Sequence, residues 1–316
     1  MLAGTANSLL SLDARGRMEG RAAALGAGTV LNALATGTGA AFGIDVETRA
    51  TVQLDPDADV VEGTIADSPD ADTALIERCV SLATERWGSG EGGTVRTDSD
   101  VPLAAGLKSS SAAANAAVLA TCAALRLPVG GDADDPDVDV TRLDACRLGV
   151  EAARDAGVTV TGAFDDATAS MLGGVCVTDN DDDELLSRET VEWDVVVWTP
   201  TERAYSADAD VDRCENVASM ADLVADLALT GRYAEAMSVN GLAFSAALGF
   251  DPDPAVEAMP HASGVSLSGT GPSVVAVADP SDRNADLDAV AELWQKREGS
   301  VRRTRTRTDG ARILDD

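Results

Sequence analysis

Lysine occurs only at positions 108 and 296, and histidine only at 261. All but two of the 24 basic side chains are therefore arginine. Aromatic residues make up 3% of the chain, and the five cysteines (Cys79, Cys122, Cys146, Cys176, Cys214) fall in no CxxC spacing. With an odd number of thiols and a single imidazole, neither a disulfide framework nor a zinc centre is expected. No run approaches the roughly 18 apolar residues that a membrane span needs, and no charged segment followed by an apolar stretch and a cleavage site opens the chain. A cytoplasmic protein is expected.

What the chain holds in excess is acid. Against the 24 bases stand 54 aspartates and glutamates, for a net charge of −30 at pH 7. Such a field repels nucleic acid phosphates and anionic lipid, so neither class of partner is expected. The excess is spread along the whole length rather than gathered in a tail, the pattern of a surface kept hydrated in high salt, and a halophilic source is expected. Apolar residues make up 45% and recur in periodic blocks, which suits a substantial core and not a disordered acidic chain.

Residues 1–17, MLAGTANSLLSLDARGR, are weakly patterned and read as an extension, with Met18 the expected natural start. RAAALGA and FGIDVETRATVQL cluster or alternate apolar residues as strands do, with the Gly-rich TGTGAAFG between them. DTALIERCVSLATERW has helical spacing, GTVRTDSDVPL is a short strand running into a turn, and SSSAAANAAVLATCAALRL is a strong helix. The acidic GGDADDPDVDV is a loop ahead of the helical TRLDACRLGVEAARDAG. GGVCVT and WDVVVWTP are buried-strand patterns separated by the acidic turn DNDDDE, and helical patterns fill residues 211–248. SGVSLSGTGPSVVAVADP gives strand, Gly-rich turn and strand, followed by a helix from about Ala285 to Arg297. The last pattern, SVRRTRTRT, reads as an edge strand whose alternating arginines share one solvated face and guard the edge against mispairing. Helix and sheet alternate without an internal repeat.

One of the two lysines falls in PLAAGLKSSSA, residues 102–112. Pro102 ends a strand, Gly106 permits an unusual turn, and Ser109, Ser110 and Ser111 stand where an N-cap is wanted before the alanine-rich stretch from Ala112. Leu103, Ala104, Ala105 and Leu107 complete the loop. This arrangement is an anion site: first-turn N–H groups lack intrahelical acceptors, the macrodipole is positive there, and small side chains let a phosphate reach the backbone. The Walker A pattern needs Gly-Lys in succession, and Leu107 separates Gly106 from Lys108, so a P-loop is not supported. Lys108 adds a cation against phosphate.

These residues resemble the second motif of the GHMP kinases, the superfamily of galactokinase, homoserine kinase and mevalonate kinase, with its proline, Gly-Leu and Ser-Ser-Ala-Ala. Most of that superfamily carries glycine where Lys108 stands. GLKSSSAAAN, and GTVLNALATGTGAAFGID near the start, look like its archaeal shikimate kinase branch. TGAFDDATASMLGG, residues 161–174, resembles the region whose aspartate, seven or eight residues before Gly-Gly, is proposed to accept a proton from the substrate hydroxyl. Asp165 and Asp166 both meet that spacing, and Asp165 is preferred. SLSGTGPSVVAV resembles the third motif, in which Gly269, Thr270 and Gly271 turn close to the phosphate loop. The likeness spans essentially residues 19–308. It implies a two-domain α+β GHMP kinase fold, with a ribosomal-protein-S5-like α/β domain over 18–160 and an α+β sandwich domain over 161–316. It further implies ATP held by residues 102–112, with Mg2+ bridging its phosphates and Ser109 and Ser110 contacting phosphate or metal. Lys108 would neutralise phosphate, and the terminal phosphoryl group would pass to a hydroxyl of shikimate, a step of aromatic amino-acid synthesis. The alternatives are a relative acting on homoserine or mevalonate, and a non-catalytic relative that binds nucleotide or a protein partner.

The sequence departs from the superfamily in one respect. Many GHMP kinases carry lysine or arginine just after the first strand, near the catalytic aspartate, and ALGAGTVLNALATG carries none. Arg21 lies on the strand before it, where ordinary solvation explains it equally well. Asn32, Thr36 and Thr38 are candidates for binding substrate hydroxyls, and Arg203, in WTPTERAYS, for a substrate carboxylate. His261 reads as a loop or packing residue.

Overall fold

The computed structural model describes residues 18–66, 68–102, 105–131, 138–204 and 209–315. The expectations for residues 1–17, for Leu103 and Ala104, and for most of the acidic loop lie outside that set. β1 (Met18–Leu31) and β2 (Thr38–Asp55) form a long antiparallel hairpin. β3 (Val61–Ile65), α1 (Ala74–Trp87), β4 (Gly92–Ser99), α2 (Ser109–Leu125), β5 (Val129–Gly130), β6 (Val140–Thr141), α3 (Arg142–Asp155), α4 (Phe164–Leu172), β7 (Val175–Asp179) and β8 (Glu184–Glu189) follow. Next come β9 (Asp194–Thr199), α5 (Val211–Glu215), α6 (Ala218–Leu229), α7 (Tyr233–Leu248), α8 (Asp253–Ala258), β10 (Gly264–Leu267), β11 (Val274–Ala278), α9 (Leu287–Trp294), β12 (Ser300–Arg305) and β13 (Arg312–Ile313).

The first sheet runs β13-β1-β2-β4-β3, with β7 paired to the other end of β2 and β8 to β7. Helices α1 to α4 cover it around Val52, Leu54, Val80, Val118, Leu148 and Phe164. The second sheet, β10-β11-β9-β12, is antiparallel throughout. One face packs on α6 and α7, where Phe42, Trp193 and Tyr233 meet edge to face at 5.5 and 6.1 Å. The other face packs on α8 and α9 around Trp294. All five cysteines are buried and free, and no helix among the described residues is long and apolar enough to cross a membrane.

Four expectations are corrected. The Gly-rich TGTGAAFG is not a link, because Thr38–Phe42 is already strand, paired with β7. Its glycines leave room for α4: a Cβ on Gly39 would lie 2.6 Å from Asp165 Cγ, and one on Gly43 would lie 2.9 Å from the Ala169 carbonyl oxygen. The acidic turn after β7 is followed by a strand, β8, whose ELLSRE is too polar to read as buried. Residue 160 marks no break in either core, since α4 packs into the first cluster and β7 and β8 extend the first sheet.

The fourth concerns the C-terminal arginines. Arg303 and Arg305 do lie exposed, beside Asp288 (2.6 Å) and Asp45 (3.5 Å). Arg307, however, turns inward to Asp45 and Glu47, 3.0 Å from each, and Arg312 on β13 grips the same Glu47. Burial alone would raise Glu47, but the hydrogen bonds and charges of Arg312 and Arg307 hold its carboxyl below the usual range.

Candidate active site

The start of α2 is built by an unusual residue. Lys108, not a serine, is the N-cap, and its backbone is left-handed at φ 65° and ψ 36°. Ser109, Ser110 and Ser111 are thus the first three helical residues, which corrects their expected capping role. No side chain caps the helix, so its first-turn amides remain for a ligand. Gly106 (φ 78°) is packed under the third motif, where a Cβ would lie 2.1 Å from the Ser268 carbonyl oxygen. Ser268 Oγ donates to the Gly106 carbonyl at 2.8 Å, and the Gly269 amide donates to Thr29 Oγ1 at 2.8 Å. The two glycine-bearing segments therefore lock together at the end of β1.

The Lys108 cation is not held in solvent. Its side chain is 6% exposed, and Nζ lies 2.8 Å from Asp166 Oδ1, which belongs to a side chain 14% exposed. The ammonium passes close over the third motif, where a Cβ on Gly269 (φ 58°) would lie 2.8 Å from Nζ. Gly269→Ala should therefore both strain the turn and displace the ammonium. Its kcat/KM for ATP is expected to fall about 10²-fold, the usual cost of a misplacement on the order of 1 Å, in steady-state assays that vary ATP.

Asp165 and Asp166 open α4, preceded by Ala163 in a left-handed conformation (φ 52°). Successive helical residues point about 100° apart, so the two carboxylates meet different surroundings. Asp165, 4% exposed, lies under Gly39 and accepts a 2.8 Å hydrogen bond from Asn180 Nδ2. Asp166 faces Lys108 across the cavity. Burial, and then the charge of Asp165, push Asp166 up to about 7, while Lys108 pulls it back. The cation missing after β1 is thus supplied from the start of α2.

A cavity of about 540 Å3 joins these parts, within the range usual for small-molecule sites. Its lining includes Asn32, Lys108, Ser109, Ser110, Asp165 and Asp166, with Arg203 at the rim. Gly106, Ser111, Gly269 and Thr270 also line it, whereas Gly271 backs the turn against Phe250. A second hollow of about 360 Å3, lined by Pro102, Ala105, Thr199 and Arg203, adjoins it. Leu107 is core, 1% exposed, as is Ala112 at 0%.

Three substrate candidates fare differently from expectation. Asn32 lines the cavity, but Nδ2 donates to the Gly269 carbonyl at 2.8 Å and Oδ1 accepts from the Leu34 amide at 2.9 Å. It is an anchor between β1 and the third motif. Thr36 and Thr38 are not among the cavity-lining residues, and Thr38 instead pairs with Asp179 in the sheet. His261 sits in a short turn after α8, away from the cavity. Sequence reasoning missed Asn180 and Asn240. The latter is fully buried, bonds the Asn32 amide at 2.9 Å and donates to Ser266 at 2.9 Å. A polar residue inside an apolar helical pattern was the only available signal for Asn240.

Residues 74–174 match the model of the GHMP kinases N-terminal domain. A shikimate kinase of Halobacterium salinarum is 62% identical over 295 residues, 93% of this chain and 99% of that protein. A shikimate kinase of Methanococcoides burtonii is 47% identical over 294 residues, 92% of this chain and 97% of that protein. Among solved structures, a homoserine kinase from Cytophaga hutchinsonii superposes with a TM-score of 0.69 at 17% identity, over 98% of this chain and 100% of that one. The mevalonate kinase of Methanococcus jannaschii does so with a TM-score of 0.66 at 13% identity, over 92% and 98%. The fold is therefore the expected GHMP kinase fold, and the chain belongs to the shikimate kinase family of GHMP type.

Proposed function

We propose that the chain transfers the terminal phosphoryl group of ATP to a hydroxyl of shikimate. The observation that carries this is the Lys108–Asp166 pair, 2.8 Å apart, beside an uncapped helix start within the cavity. The donors suit a triphosphate: first-turn amides of α2, the bare backbone at Gly106 and Gly269, and one buried ammonium. Ser109 and Ser110 offer hydroxyl oxygens for a phosphate-bound Mg2+. No group of three potential metal-ligating His, Cys, Asp or Glu side chains exists among the described residues. Once bound, the metal would neutralise charge on the transferring group.

Phosphoryl transfer asks the protein for position and charge more than for covalent chemistry. Asp166 orients the acceptor hydroxyl and takes its proton; Lys108 balances that carboxylate and the phosphates beside it. Asp165, the aspartate expected from the sequence, is the weaker candidate, because its carboxylate is already engaged with Asn180. Arg203, at the rim, is the cation suited to the carboxylate of shikimate. In this reading the chain divides after β8 rather than at residue 160. The test is ATP consumption in concentrated KCl with shikimate, homoserine and mevalonate. Turnover with shikimate alone is expected; preference for another acceptor replaces this reading, and no turnover with any favours a non-catalytic role.

A further inference from the structure

Asn180 follows β7 in the acidic turn and is fully buried. Nδ2 donates to Asp165 Oδ1 at 2.8 Å and to Thr161 Oγ1 at 3.4 Å. Oδ1 accepts from the Asp165 amide at 3.1 Å and from Thr178 Oγ1 at 2.7 Å. Only this amide orientation serves both contacts with Asp165, because a backbone N–H can only donate and an ionised carboxylate can only accept. The backbone of Asn180 is fixed too. Its N–H donates to the Gly37 carbonyl at 3.0 Å, and its carbonyl accepts from Arg154 Nη2 at 3.2 Å. Arg154 in turn grips Asp183 through bonds of 2.7 and 2.8 Å. All of Asn180's amide capacity is thus committed to Asp165 and the two threonines around it.

A carboxylate this deeply buried needs a hydrogen-bond donor, and the Asn180 side chain supplies one. We propose that Asn180 is a positioning residue for phosphoryl transfer, holding the Asp165 carboxylate in one place so that Asp166 is the carboxylate that receives the acceptor's proton. This rests on the function proposed above. The charged groups facing Asp166 are Asp165 on its own helix, Lys108 from the start of α2 and, across the cavity, Asp72 ahead of α1 and Arg203 after β9. In the transfer, the acceptor oxygen bonds to the terminal phosphorus as the bridging P–O bond to ADP breaks. The hydroxyl proton passes to Asp166 and then to solvent. With the Asn180 donor gone, the Asp165 carboxylate loses its anchor and its charge no longer sits fixed beside Asp166, so Asp166 stays ionised to lower pH.

Asn180→Leu should move the acidic limb of the pH profile of kcat/KM down by about one pH unit. Asp165→Asn, which removes the anion and leaves an amide for Asn180 to bond, should move it the same way, and the double variant should add nothing. Infrared difference titration of the carboxyl stretch needs no substrate and should show the same displacement, so it tests the positioning role whatever the acceptor proves to be. If Asn180→Leu fails to fold, Asp165→Asn carries the test. A limb and a titration that stay in place in folded protein overturn the positioning role. Displacement accompanied by turnover of another acceptor supports it and overturns the choice of shikimate instead.

Discussion

Asp166→Asn is expected to lower kcat about 10³-fold, within the range that a positioned proton acceptor contributes, while KM for ATP changes little. Asparagine keeps the size of the side chain and an oxygen for Lys108, so the pocket retains its shape. What disappears is the ability to hold a proton. The wild-type profile carries a second signature of the same group. Burial and the neighbouring Asp165 charge set Asp166 near 7 despite Lys108, and a base works in its ionised form. The wild-type kcat/KM should therefore climb with pH up to that value and level off above it, whereas the residual activity of Asp166→Asn should be flat through the same window. A wild-type profile without that limb, or a variant with near-native kcat, would remove Asp166 from the chemistry.

Lys108→Ala should cost on the order of 10²- to 10³-fold in kcat/KM for ATP, as losing one preorganised charge-stabilising group typically does. It should also change how stability depends on pH. With the ammonium gone, the Asp166 carboxyl rises further above the value of about 3.9 that it has in the unfolded chain. A carboxyl raised in this way favours the fold while protonated and withdraws that support as pH climbs through its folded value. The variant's deficit in melting temperature should therefore widen as pH rises above about 7, followed by circular dichroism in concentrated KCl. Parallel melting of variant and wild type across that window would show that the pair does not bear on folding. Arginine at position 108 should not restore function, because its broad planar fork would have to fit where Nζ alone already passes 2.8 Å from the place of a Cβ on Gly269.

The chemistry was legible where it lies in short, contiguous stretches. The loop before α2, the two aspartates and the glycine turn each announce themselves by residue type, and the alanine-rich run marks where α2 begins beside the cavity. What the sequence hid was pairing across distance. Nothing local says that Lys108 takes a left-handed conformation, a geometry rare for a residue with a Cβ, and that conformation is what makes it the cap and sends its ammonium inward. Asp165 and Asp166 are equivalent by spacing and differ only through Asn180 and Lys108, which lie 15 and 58 positions from the residues they engage. Strand β8 escaped because a polar strand with one solvated face carries too little apolar signal. Arg307 escaped because alternation assigns a residue to one side of a strand but cannot say that a buried glutamate waits on that side.

The pairing of Ala22 and Ala23 in β1 with Ile313 and Arg312 in β13 joins nearly opposite ends of the chain. At Ala22 and Ala23, β1 therefore lacks its outer neighbour until β13 has folded back beside it. A chain cut before β13 would leave those two backbone positions unpaired on the sheet's edge, open to pairing with another strand.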